Sequence, residues 1–145
     1  MTPDSALTAI IARLVAAGLT KAKSPVGVAN QSAPQLDRSF SVKMSTLTPA
    51  SQQDRGKASV VGLRVTNRFI IELSHRLTPN SGQTAVSQAL QDLHTAWKYL
   101  AQPATTLTTG VQIQLGSSSA NITGSGAYLV QSFTIDLQYN LSLAV

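Results

Sequence analysis

The stretch Tyr128–Val145 reads YLVQSFTIDLQYNLSLAV. Phe133, Ile135, Leu137, Tyr139, Leu141 and Leu143 all fall on odd positions. A period of two over this length is the signature of a β-strand with one buried face. Left at an open edge, such a strand invites aggregation, so it is expected to be tied into a sheet. Tyr128 and Val130 carry the opposite parity. A one-residue slip turns every side chain over, so a bulge near Gln131–Ser132 is expected to reconcile the two sets.

A second long run, SVVGLRVTNRFIIELSHRL, covers residues 59–77. Val61, Leu63, Val65, Phe69, Ile71 and Leu73 share one parity, and Arg64, Arg68, Glu72 and Ile70 share the other. As one strand it would extend about 60 Å, which predicts a bend or break near Gly62 or Asn67. RSFSVKMST sets Phe40, Val42 and Met44 against Ser39, Ser41 and Lys43, a half-buried strand. TLTTGVQIQL alternates through Val111, Ile113 and Leu115, and a short strand is expected near Val26–Val28. Two segments read as exposed, mobile loops: TPASQQDRGKAS (48–59) and GSSSANITGSG (116–126).

Two helices complete the order. Thr2 is a cap, Pro3 suits the first turn, Asp4 complements the dipole and Gly18 is a stop. Between them Leu7, Ile10, Ile11, Leu14 and Val15 form one face. In the second, near 84–100, the expected apolar stripe is Val86, Ala89, Leu90, Leu93, Ala96, Trp97 and Leu100, with Pro103 beyond its end. The order helix, strand, strand, helix, strand, strand predicts one domain over residues 1–145. Its class is α/β in the α+β sense: a mainly antiparallel or mixed sheet of about four to five strands packed with two main helices.

The chemistry is sparse. Without cysteine there is no thiolate or disulfide, and no Gly-x-Ser-x-Gly turn is present. The six carboxylates Asp4, Asp37, Asp54, Glu72, Asp92 and Asp136 show no metal-ligand spacing. His75 and His94 lie on different elements and read as structural or surface residues. No catalytic, cofactor or metal site is expected. Asp4 and Arg13 argue against a signal peptide, and no run reaches the length of about 20 apolar residues that a membrane helix needs. The net charge is +5, yet only 12% of residues are charged, which leaves a surface weakly defended against association. Arg38, Lys43, Arg55, Lys57, Arg64 and Arg68 are candidates for a phosphate-neutralising patch, but aromatic interleaving is slight and Glu72 balances part of the charge.

Five segments in this order carry a resemblance: ALTAIIARLVAAGL, then LDRSFSVKM with its polar excursion, GLRVTNRFIIEL, AVSQALQDLHTAWKYL, and the closing TGVQIQL with YLVQSFTIDLQYNL. Together they resemble the tail terminator, or tail-completion, proteins of long-tailed bacteriophages. The likeness is one of size, order and pattern across nearly the whole chain. It implies a structural virion protein, assembled in the host cytoplasm and located at the tail–neck junction, that catalyses no reaction and needs no cofactor. Such subunits form hexameric rings that cap the tail tube on one face and meet the head connector on the other. DNA passes through the channel without sequence-specific binding, and no membrane is involved.

The mechanism expected of such a ring is physical. A subunit that matches the last ring of a tube on one face and refuses a further copy on the other ends polymerisation. Head-to-tail contacts about a closed rotation give a ring. The expected contact residues are Thr48, Gln52, Gln53, Asp54, Arg55 and Lys57 in the first polar excursion, and Ser118 and Asn121 in the second. Arg64 and Arg68 are candidates for an intersubunit ion pair or a DNA-facing surface. Alternatives are another head–tail joining or neck protein, a tail-tube subunit, or a basic nucleic-acid-binding module.

Overall fold

The computed structural model describes residues 2–22, 27–28, 37–49, 62–78, 82–102, 111–123 and 126–142. Helix α1 spans Pro3–Ala16 and opens on a capping box, in which the Ser5 backbone N–H donates to Thr2 Oγ1 at 3.2 Å and the Thr2 N–H donates to Ser5 Oγ at 2.9 Å. Gly18 ends it in the left-handed region, at φ 93°, where a side chain would be strained. The strands are β1 (Thr20–Lys21), β2 (Gly27–Val28), β3 (Ser39–Pro49) and β4 (Gly62–Arg76), followed after helix α2 (Gly82–Ala101) by β5 (Gln112–Leu115), β6 (Ser119–Thr123) and β7 (Tyr128–Ser142).

These strands form one mixed sheet in the order β1-β3-β4-β7-β5, as expected of an α+β fold. The short β1 and β2 both run parallel to β3, and every other pairing is antiparallel. The long C-terminal strand β7 therefore lies inside the sheet. It has β4 on one side and β5 and β6, end to end, on the other.

Parity then assigns the faces. The odd residues Val65, Phe69, Ile71 and Leu73 of β4 and Phe133, Ile135, Leu137 and Tyr139 of β7 are buried with Ala6, Ile10 and Leu14 of α1 and Ala96 and Leu100 of α2. Both helices thus cover the odd-numbered face. Burying each large apolar side chain here contributes about 1.5–3 kcal/mol. Trp97 adds an edge-on contact with Phe133, their ring centroids 5.8 Å apart. The helices are tied together where the Arg13 guanidinium of α1 donates to the Leu100 carbonyl at 2.6 Å, in the last turn of α2. A cation there complements the helix dipole, even though burial lowers the Arg13 pKa.

Several expectations are corrected. No bulge occurs near Gln131–Ser132: β4 and β7 pair without a register shift from Gly62↔Ser142 to Arg76↔Tyr128. The phase change is absorbed by burying Gln131 on the helix-covered face and Val130 on the other. Nor does β4 break at Asn67; the irregularity sits in its partner β3, between Met44 and Thr46. β3 is not half-buried along its length. Ser39, Ser41 and Lys43 are buried as well as Phe40 and Val42, and Lys43 meets Glu72 at 2.9 Å, whereas residues 44–49 are exposed. Residues 116–126 are not simply a long loop, since they contain β6, paired with β7 from Ser119↔Ser132 to Thr123↔Tyr128.

One polar pair lies within the apolar layer. Asn67 Nδ2 donates to the Tyr139 hydroxyl at 3.0 Å, and both residues are buried. Tyr139→Phe should destabilise the fold by about 1–2 kcal/mol because it orphans that donor. Adding Asn67→Leu should recover most of the loss in a urea-denaturation cycle, since a missing pair is cheaper than half of one.

Candidate assembly interface and a buried carboxylate clamp

The expected contact residues fall into three groups. Thr48 lies exposed near the end of β3, Ser118 lies exposed between β5 and β6, and Asn121 lies exposed on β6. Gln52, Gln53, Asp54, Arg55 and Lys57 lie outside the described residues. Arg64 and Arg68 project from β4 on the face away from the helices; Arg64 is half-buried and Arg68 exposed.

Arg68 already has a partner in its own chain. Its Nε and Nη2 donate to the two Asp136 carboxylate oxygens at 2.8 and 3.0 Å, a two-pronged bond across the β4–β7 pair. Lys43 is likewise matched by Glu72, and Arg38 by Asp92. Three members of the suspected basic patch are thus neutralised within the subunit. The same face carries Thr66, Ile70, Thr134 and Gln138, all half-exposed, beside Arg64 and the matched pairs Lys43–Glu72 and Arg68–Asp136.

Sequence reasoning missed the densest polar cluster. Asp92 of α2 is buried, and four hydrogen bonds converge on its carboxylate. Arg38 Nε and Nη2 donate at 3.0 Å each, Gln88 Nε2 donates at 2.9 Å, and His75 Nε2 lies 2.7 Å from Oδ2. His75 comes from the end of β4 and is also buried, with its Nδ1 unpartnered among the described residues. Arg38 precedes β3 with φ 50°, a conformation uncommon for a side-chain-bearing residue. The aligned guanidinium–carboxylate fork offsets that local strain.

Burial alone would raise the Asp92 pKa. The hydrogen bonds from Arg38, His75 and Gln88, with the Arg38 charge, outweigh it and hold the carboxyl below its ordinary value. Its acceptor positions are taken up by the protein itself, so the cluster acts as a clamp between the β3 entry, the end of β4 and α2. An open cleft of about 320 Å³ adjoins it, lined in part by Arg38, His75, Arg76 and Gln88. The signal available in sequence was Gln88–Asp92, spaced i to i+4 on one helix face.

The clamp explains a further correction. The inward stripe of α2 is Ala89, Asp92, Ala96 and Leu100. Turning Asp92 inward swings Val86 and Leu90 outward, where they are 43% and 58% exposed rather than core.

Both lateral ends of the sheet are open among the described residues. Residues 45–49 of β3 pair only with β4, and β5 pairs only with β7. Neither edge holds a charged residue: residues 44–50 read MSTLTPA and residues 111–123 read VQIQLGSSSANIT. Strand edges that must stay unpaired are normally guarded by charge, proline or distortion; the β3 edge carries Pro49 and the irregularity between Met44 and Thr46, whereas β5 carries none of these. Among the described residues, no group of three or more His, Cys, Asp or Glu side chains is placed to hold a metal, and no helix is long and apolar enough to cross a membrane.

Asp92→Asn should lower the unfolding free energy by about 1–2 kcal/mol, because it weakens the charge-assisted bonds that converge on a buried acceptor while the exposed Arg38 stays hydrated. The carboxylate's contribution is fully present above its ordinary value of 3.8 and is lost as pH falls through the lower value in the folded protein. Acid denaturation followed by circular dichroism should show that low-pH loss in the parent chain and not in the variant.

No protein-family model and no curated protein matches the chain.

Proposed function

We propose that this chain is a structural ring subunit that caps the tail tube of a long-tailed bacteriophage and joins it to the head connector. The observation that carries the reading is the pair of uncharged sheet edges, open among the described residues, at opposite flanks of one small α+β unit. Two different open flanks suit head-to-tail association, and a closing rotation turns that into a ring. The resemblance in element order supplies the tail-terminator assignment, with a hexamer as its implied size, the tube protein and connector as partners, and DNA passing through the channel.

The clamp supports a structural role. Asp92 and His75 are spent on each other, Arg38 and Gln88, so the described residues with the most suggestive chemistry serve to fix the fold. Internal pairing of Arg38, Lys43 and Arg68 favours the ring reading over a free basic module. Of the polar stretch 48–59, Thr48 and Pro49 belong to β3, and the remainder is the part assigned to reach the tube or neck.

Electron microscopy of virions carrying a label on this chain tests the proposal. The expected outcome is one labelled collar at the tail–neck junction. Label along the whole tail would make the chain a tube subunit, and salt-sensitive DNA binding by the free protein would favour the nucleic-acid module. Deleting the tip of the 48–59 excursion should leave a folded subunit but give over-long, uncapped tails; normal tail lengths would remove that role.

A further inference from the structure

We infer that copies of this chain join by strand pairing, with the Ser45–Pro49 half of β3 in one copy lying antiparallel to β5, Gln112–Leu115, of the next. The inference rests on the ring-subunit reading for its head-to-tail geometry, but it names the joint.

The register supplies the argument. Rows can be traced straight across the four strands that span the sheet at this level. One row runs Leu47–Asn67–Leu137–Ile113, and its neighbours run Thr46–Arg68–Asp136–Gln114 and Thr48–Thr66–Gln138–Gln112. The two edges that are open among the described residues therefore stand at the same height on opposite flanks. A rotated copy set alongside brings them together without a shift along the strands.

Direction agrees as well. β3 is antiparallel to β4, β4 to β7, and β7 to β5, so β3 and β5 of one subunit run in opposite senses. When the sheet continues into a second copy, the strands at the joint are antiparallel and their main-chain groups complete one another. A side-by-side copy also keeps its helices on the same side of the sheet.

Side chains match by layer. Met44 and Leu47 stand on the helix-bearing face, opposite Phe69 and Asn67, yet are 41% and 40% exposed. Ile113 and Leu115 stand on that same face, opposite Leu137 and Ile135, and are half-buried. The joint lays apolar against apolar on one face and Thr46 and Thr48 against Gln114 and Gln112 on the other. None of the residues that meet at the joint is charged. Pro49, which has no N–H to give, falls at the end of the strand, where its cost is least.

The absence of native cysteine makes the test clean. Thr46→Cys and Gln114→Cys are each made alone, at exposed positions, and treated with a short bis-maleimide at high protein concentration. Cross-linked dimer is expected when the two variants are mixed and in neither alone. Cross-linking of one variant to itself would overturn the head-to-tail joint in favour of a two-fold one. Oligomers that form without cross-links between these edges would overturn the joint and leave the ring reading standing. A chain that stays monomeric and uncross-linked at its highest soluble concentration also overturns the joint, while the ring reading is judged separately by the virion label. In a second arm, Thr46→Lys with Gln114→Lys should abolish association through like charges in register, and Thr46→Lys with Gln114→Glu should restore it. Unchanged far-ultraviolet circular dichroism in all variants separates assembly from folding, and loss of association in both pairs alike would count against the register.

Discussion

The β4–β7 ladder is the constraint on which the rest depends. It runs from Gly62↔Ser142 to Arg76↔Tyr128 without a slip, so residue parity is fixed along both strands at once. Odd positions on both are rich in Val, Phe, Ile and Leu and require a cover, which the two helices supply. A slip by one position would send Phe69, Ile71, Phe133 and Ile135 to the wrong side, and the loss of several buried side chains at about 1.5–3 kcal/mol each would be comparable to the whole stability of a typical domain. The polar interior residues, Asn67 with Tyr139 and Gln131 beyond them, are carried inward because the ladder leaves them no other place.

Much of this was legible in the sequence because it depends on periodicity. The helix caps at Thr2 and Gly18, the odd-numbered apolar set and the strand at Phe40–Met44 were all readable. What failed was decided by long-range partners. Val130 suggested a bulge, but its burial on the second face between Ser74 and Asn121 made one unnecessary. The α2 stripe was misplaced because hydropathy counts Asp92 as outward-facing, and only the approach of Arg38 and His75 makes it an inward residue. β6 was hidden because Ser119, Ala120 and Asn121 have weak strand preference; its pairing to β7 overrides local composition.

For the candidate interface, exposure at Thr48, Ser118 and Asn121 agreed with expectation, while Arg68 did not stand free for an intersubunit partner. The spacing of basic residues along a strand indicates which face they occupy. It does not reveal a carboxylate on the adjacent strand, and Asp136 comes 68 positions later in the chain. The edges left open among the described residues were equally invisible, since an edge is a property of strand order. Their lack of charge was readable throughout, but it gained meaning only when β3 and β5 took their places at the flanks.

The clamp at Asp92 has a consequence for how the chain selects its fold. Arg38, His75 and Asp92 come from segments separated by 54 and 17 positions, and they meet only when the β3–β4 hairpin and α2 are docked correctly together. A near-miss topology that still hides the carboxylate would bury an uncompensated charge, at a cost of several kcal/mol. The cluster therefore raises the energy of compact competitors more than it deepens the native well. A lightly charged chain has few other means of rejecting them.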